Sequence, residues 1–130
     1  QNVGYNEQED GKAPNLEVAM QTTNLDAVRT TSSLARLERL VRVYKRGQNS
    51  ELMDRVLDKV FAQEVADTRA AIKRLDTDIQ HYEAQYGMAA NDFYRQFQAG
   101  ELGDSMDFIE WSSLILMRTH LEERLEVLTG

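Results

Sequence analysis

From Ser50 to Gly87 apolar residues recur at helical spacing, with no proline and no glycine before the last position. The stretch predicts one helix of roughly 37 residues, about three times the usual globular length. Its apolar pattern changes partway. Leu52, Met53, Val56, Leu57, Val60 and Phe61 come as adjacent pairs every four residues, a broad stripe suited to packing from more than one side. From Phe61 the stripe narrows to Phe61, Val65, Thr68, Ile72, Leu75, Ile79, Tyr82 and Tyr86, whose alternating fours and threes make a coiled-coil seam. One helix thus serves two environments, a small packed base at its start and an extended arm at its end. A single continuous helix in an ordinary bundle is the plainer alternative.

The rest of the chain supplies what that helix packs against. Residues 1–15 are polar, with Gly4, Gly11 and Pro14, and read as a flexible lead. Leu16, Val18 and Met20 then alternate with Glu17, Ala19 and Gln21, which predicts a short strand ending at Thr22 and Thr23. A lone strand leaves backbone groups unpaired, so its simplest partner is the same strand of a second copy. After an ambiguous Asn24–Thr31, Ser32 or Ser33 caps a helix whose apolar face is Leu34, Leu37, Leu40, Val41 and Tyr44. Gly47 ends it as a left-handed cap.

Beyond Gly87 a short amphipathic helix carries Phe93, Tyr94 and Phe97 and closes at Gly100 and Gly103. Asp104 or Ser105 then caps a last helix running to about Leu128. At about 1.5 Å per residue this helix matches the seam half of the long one, so the two can fold back as an antiparallel hairpin. One seam does not use all of its apolar residues. Trp111, Phe108 or Leu116 is left to find another surface, in a partner or in a homodimer.

Composition narrows the class. At 130 residues and 42% hydrophobic content the chain can bury one core, while two full domains would be cramped. It has no Cys, which excludes disulfides and thiolate metal sites and suits a reducing cytoplasm. No apolar run approaches the roughly 18 residues of a membrane span, and none reads as a signal peptide; the sequence opens on Gln1. The net charge of −7 hides an asymmetry. Between Asp26 and Arg46 six cations stand against two carboxylates, a net of +4, which leaves −11 for the remainder. A basic element on an acidic body points to an anionic partner at one end and a basic partner at the other, although cations that merely solvate a helix face would look the same.

Catalysis has little to build on. His81 and His120 are the only histidines. Asp78 precedes His81 by three residues, but Met117 holds that position before His120, so the paired carboxylate-x-x-His pattern of di-metal bundles is incomplete. Glu122, Glu123 and Glu126 lack calcium-loop spacing, and no phosphate-binding glycine loop, nucleophile elbow or zinc motif occurs. The expectation is a binding protein without cofactor or metal, not an enzyme.

Two segments resemble known families. Leu34 to Phe61, with Leu-Glu-Arg-Leu, Tyr-Lys-Arg-Gly and then Ser50-Glu51-Leu52-Met53-Asp54-Arg55-Val56-Leu57, resembles the two helices of ribbon-helix-helix proteins. In that family a strand ahead of the first helix pairs with its dimer mate in the DNA major groove, and the second helix's N-terminus holds a phosphate. The resemblance implies a homodimer with Arg29 and Arg36 toward DNA and Ser50 at the phosphate, although residues 24–31 here separate the strand from the helix. The second segment carries Tyr86-Gly87-Met88, Asp92-Phe93-Tyr94, Phe97-Gln98-Ala99-Gly100-Glu101-Leu102-Gly103-Asp104 and Asp107-Phe108-Ile109-Glu110-Trp111. It resembles small prokaryotic antitoxins, often cyanobacterial, encoded beside a small toxin. Ala89 and Ala90 depart from that pattern, standing where a serine cap is expected, so the short helix should begin less firmly.

Together these imply a mainly α protein: a tail over 1–15, a ribbon-helix-helix-like dimerisation part over 16–61, and a helical hairpin arm over 62–130. The implied function is a cytoplasmic, dimeric antitoxin whose acidic arm neutralises a small toxin through Phe93, Tyr94, Phe97, Phe108 and Trp111, with its own operator DNA as a further ligand. The alternative is a homo-oligomeric helical scaffold or interaction protein without nucleic-acid binding.

Overall fold

A computed structural model describes the backbone from Leu16 to Gly130 and the side chains from Leu25 onward. The tail expected over 1–15 lies outside the described residues. The described chain is mainly helical, in the order α1 (Leu16–Lys45), α2 (Glu51–Tyr86), α3 (Ala90–Gln98) and α4 (Met106–Thr129). It divides into two compact units, residues 1–50 and 51–130.

In the first unit, helix stands where the alternation at residues 16–23 predicts a strand. Leu16, Glu17, Ala19, Met20 and Gln21 are all strong helix formers, and eight alternating residues carry too little information to outweigh them. Among the described residues no strand remains to form a ribbon. α1 ends as Gly47 predicts. With φ at +69° Gly47 reverses the chain, the Gln48 N–H donates to the Val43 carbonyl at 3.0 Å, and the Gly47 N–H donates to that of Tyr44 at 3.0 Å. The apolar face of α1 is left largely uncovered, with Leu34, Leu37 and Val41 all about half exposed.

The second unit is the hairpin. α2 runs unbroken through residue 61 to Tyr86 and packs along α4, while α3 folds back against both. The seam forms from Val65 to Tyr82, while Phe61 and Tyr86, predicted to extend it at either end, are exposed. Thr68, Leu75 and Ile79 are buried, and Val65, Ile72 and Tyr82 are half-buried. Polar rungs fix the antiparallel register. The Tyr86 hydroxyl donates to Asp107 and the Tyr82 hydroxyl to Glu110 at 2.8 Å; further along, Arg118 pairs with Asp76 at 2.8 Å. At the far end Arg124 donates to the Thr68 hydroxyl at 2.7 Å and pairs with Glu64 at 2.6 Å. Those bonds satisfy the one buried polar side chain in the seam, since Thr68 also donates to the Glu64 carbonyl at 2.7 Å. In this register the last turn of α4 ends near Glu64. The first dozen or so residues of α2, roughly 18 Å of helix, project past it. Leu52, Val56 and Val60 are exposed there.

The start of α3 differs from expectation for a local reason. Ala89 offers no side-chain cap, but the Glu83 carboxylate, one turn before the end of α2, accepts the Ala90 N–H at 2.7 Å. A carboxylate supplied across the Gly87 turn thus replaces the missing serine and also faces the positive end of α3. Glu83→Ala should cost about 1 kcal/mol, with faster amide exchange confined to α3; unchanged exchange would remove Glu83 from this capping role. The α4 cap is Ser105, whose hydroxyl accepts the Phe108 N–H at 3.3 Å.

Candidate functional site

The aromatic residues expected to grip a partner converge at the closed end of the hairpin, most of them facing inward. Phe93 lies flat on Trp111, ring centroids 3.8 Å apart and planes within 6°. Tyr82 and Tyr86 stack on the same indole at 5.7 and 6.0 Å. Phe108 meets Tyr86 at 5.1 Å and Phe93 at 5.3 Å. Trp111 and Phe93 are 0% exposed and form the centre of the core with Ile79, Ala90 and Ile115. In this fold neither presents a surface to another molecule. Tyr94, Phe97 and Phe108 pack around that core half-buried, so each keeps an accessible edge. The reason lies in α3. Its apolar face, Ala90, Phe93 and Phe97, covers the indole that a bare two-helix hairpin would leave open. The Trp111 Nε1–H is buried there without a hydrogen-bond acceptor.

Beside this core a shallow groove runs between α2 and α4, lined by Asp78, His81, Tyr82, Gln85, Asp107, Glu110 and Leu114. The sequence singled out Asp78, His81, Tyr82, Asp107 and Glu110 for separate reasons, but nothing in it placed them together. The groove arises because residues three and four apart on α2 face the first two turns of α4. Its carboxylates are tied to α2: Tyr82 donates to Glu110, while Tyr86 and Gln85 donate to Asp107. The hydrogen bond to Glu110 is the main reason the Tyr82 phenol is pushed up to about 12, with burial and the charge of Glu110 adding to it. Asp107 raises Tyr86 in the same way. Deprotonating either phenol would remove the donor and set two anions together.

Because Tyr82 is raised above its ordinary value of 10.0, its neutral form is favoured by folding. That contribution is complete below pH 10 and is lost as pH rises toward 12. Absorbance titration of the tyrosinate band should show a late-ionising phenol that Glu110→Gln brings back toward 10. An unchanged titration curve in the variant would deny the Tyr82–Glu110 bond.

The residues expected at DNA are not gathered into one site. Arg29 and Arg36 are exposed, two turns apart on one face of α1, and Ser50 is exposed in the connection just before α2. Glu51 and Asp54 fill the first turn of α2, so carboxylates already complement its positive end and oppose a phosphate there. Among the described residues no group of three or more His, Asp or Glu could hold a metal ion, and no helix is long and apolar enough to cross a membrane. Comparisons with protein-family models, with curated proteins and with solved structures found nothing that matches this chain.

Proposed function

We propose that the chain is the antitoxin subunit of a toxin–antitoxin pair, acting in the cytoplasm as a homodimer. It neutralises a small basic toxin through the α2–α4 hairpin and binds its operator DNA through α1. The observation that carries the reading is the separation of charge between elements of definite structure. α1 and its end hold the six cations between Asp26 and Arg46, and the unit from Glu51 to Gly130 has sixteen carboxylates against eight cations. Fields of opposite sign on separate units suit two partners of opposite charge better than one enzymatic cleft. His81 and His120 stand exposed on different helices, which also favours binding over catalysis.

Two measurements test this. The product of the adjacent reading frame should co-purify with the chain and arrest growth without it; failure of both would end the antitoxin reading. In gel shifts with the upstream promoter, binding should weaken steeply with salt, and Arg29→Ala with Arg36→Ala should reduce it by at least about tenfold. Unchanged binding would take both arginines off the DNA surface. The second reading, a homo-oligomeric scaffold, is favoured by the uncovered Leu52, Val56 and Val60 on the projecting turns of α2. A salt-insensitive oligomer with no promoter affinity and no protein partner would support it.

A further inference from the structure

The stretch expected to pair two copies as a strand is part of α1, and α1 has no neighbour in its own unit. Among the described residues it is the only element of the unit 1–50. Thr30, Leu34, Leu37 and Val41 recur at fours and threes along one side of it, the spacing of a coiled-coil seam. All four are exposed, with Leu34 at 56%, Leu37 at 53% and Val41 at 50%. The Thr30 hydroxyl donates to the Asp26 carbonyl at 3.0 Å, so its polar atom is already bonded within the helix.

The placement of charge around this row says what would cover it. Arg29, Arg36, Arg39 and Arg42 each lie more than roughly 100° round the helix from the centre of the row. Its flanks are Asp26, Ser33 and Leu40 on one side and Thr31, Glu38 and Lys45 on the other, two carboxylates and one cation. The basic side of α1 and its apolar row are therefore different sides. A surface recognised by its negative charge would be drawn to the arginines and would leave the row bare. That applies to the acidic unit of a second copy as much as to an acidic foreign protein. An apolar row with a weakly charged rim is complementary to a copy of itself.

We propose that the row centred on Leu34 and Leu37 is where two copies of this chain pair, α1 against α1, with the arginines of both turned outward. This rests on the homodimer in the antitoxin reading and deepens it. A helical seam takes the place of the expected ribbon, and the arginines stay exposed for the proposed DNA contact. The uncovered apolar side chains are few, so the dimer should dissociate on dilution.

The test is sedimentation equilibrium of the full chain, of Leu37→Glu, of Leu37→Lys and, as a control on the opposite side of the helix, of Arg39→Glu. Leu37 is half exposed, so its replacement opens no core, and thermal melting checks that the hairpin still folds. The original should be dimeric at high concentration. Each Leu37 variant alone should self-associate at least about tenfold more weakly, and Arg39→Glu should not. Mixing the Glu and Lys variants should restore the dimer, because opposite charges then face each other. A dimer untouched by the Leu37 variants, or weakened equally by Arg39→Glu, would overturn the proposal and leave the homodimer standing on another surface. So would a dimer weakened by both Leu37 variants that mixing fails to restore, which would set Leu37 against a different part of the second copy. A chain monomeric at every concentration would remove this surface and the homodimer together. A toxin that co-purified with such a monomer would keep the antitoxin reading without them.

Discussion

Replacing Trp111 with alanine is expected to destabilise the hairpin by about 3–5 kcal/mol. The indole is the only one in the chain, and it is enclosed on every side, with Phe93 flat against it and Tyr82 and Tyr86 stacked on it. Its removal strips three helices of a shared contact and leaves a void that rigid helices cannot close. Trp111→Phe is the informative control. It keeps an aromatic face and discards an N–H that has no acceptor, so it should cost clearly less than the alanine variant. Urea unfolding followed by far-ultraviolet circular dichroism measures both without relying on the deleted fluorophore. A loss below about 1 kcal/mol for the alanine variant would contradict burial on this scale. Intact stability together with lost partner binding would return Trp111 to an interface.

Phe93→Ala should cost a comparable amount, about 3–5 kcal/mol by the same reasoning, but its effect should be local. α3 has nine residues, too few to persist as an isolated helix in water, so it depends on what Phe93 docks against. Without that ring α3 and the turn through Gly103 should detach. The remote half of the hairpin is held by Arg118 on Asp76 and Arg124 on Glu64 and Thr68, far along the seam from Phe93. Hydrogen exchange should therefore show protection lost across residues 90–98 and retained around residues 64–76. Uniform loss across α2 and α4 would mean that the short helix is integral to the whole hairpin. The two variants together should be less damaging than the sum of their separate effects, because each removes half of one stack.

The reading of individual residues shows where pattern sufficed. A helix from about Ser50 to Gly87 follows from unbroken spacing and a terminal glycine, and α2 spans Glu51–Tyr86. Gly47 and Ser105 stop and start their helices as local backbone chemistry requires. At residues 16–23 short-range alternation was a poor guide, because strong helix formers stood at both phases. At Ala89 the expected weakness was met by Glu83, six positions earlier, through the geometry of the Gly87 turn.

The sequence by itself determined α2, α3 and α4, the end of α1 at Gly47 and the α2 seam between Val65 and Tyr82, though not the start of α1, because spacing, capping residues and glycines act within a few residues of one another. It also determined the partition of charge, which depends on position along the chain alone. The tertiary structure decided which side of α4 became core. Both sides carry apolar residues, and only the return of α3 placed Trp111 and Phe93 inside and left Ile109, Leu116 and Met117 outside. It also turned Arg118 and Arg124 toward α2, into ion pairs spanning 42 and 60 residues of chain. Such pairings arise from how helices meet in space, and no local pattern specifies them.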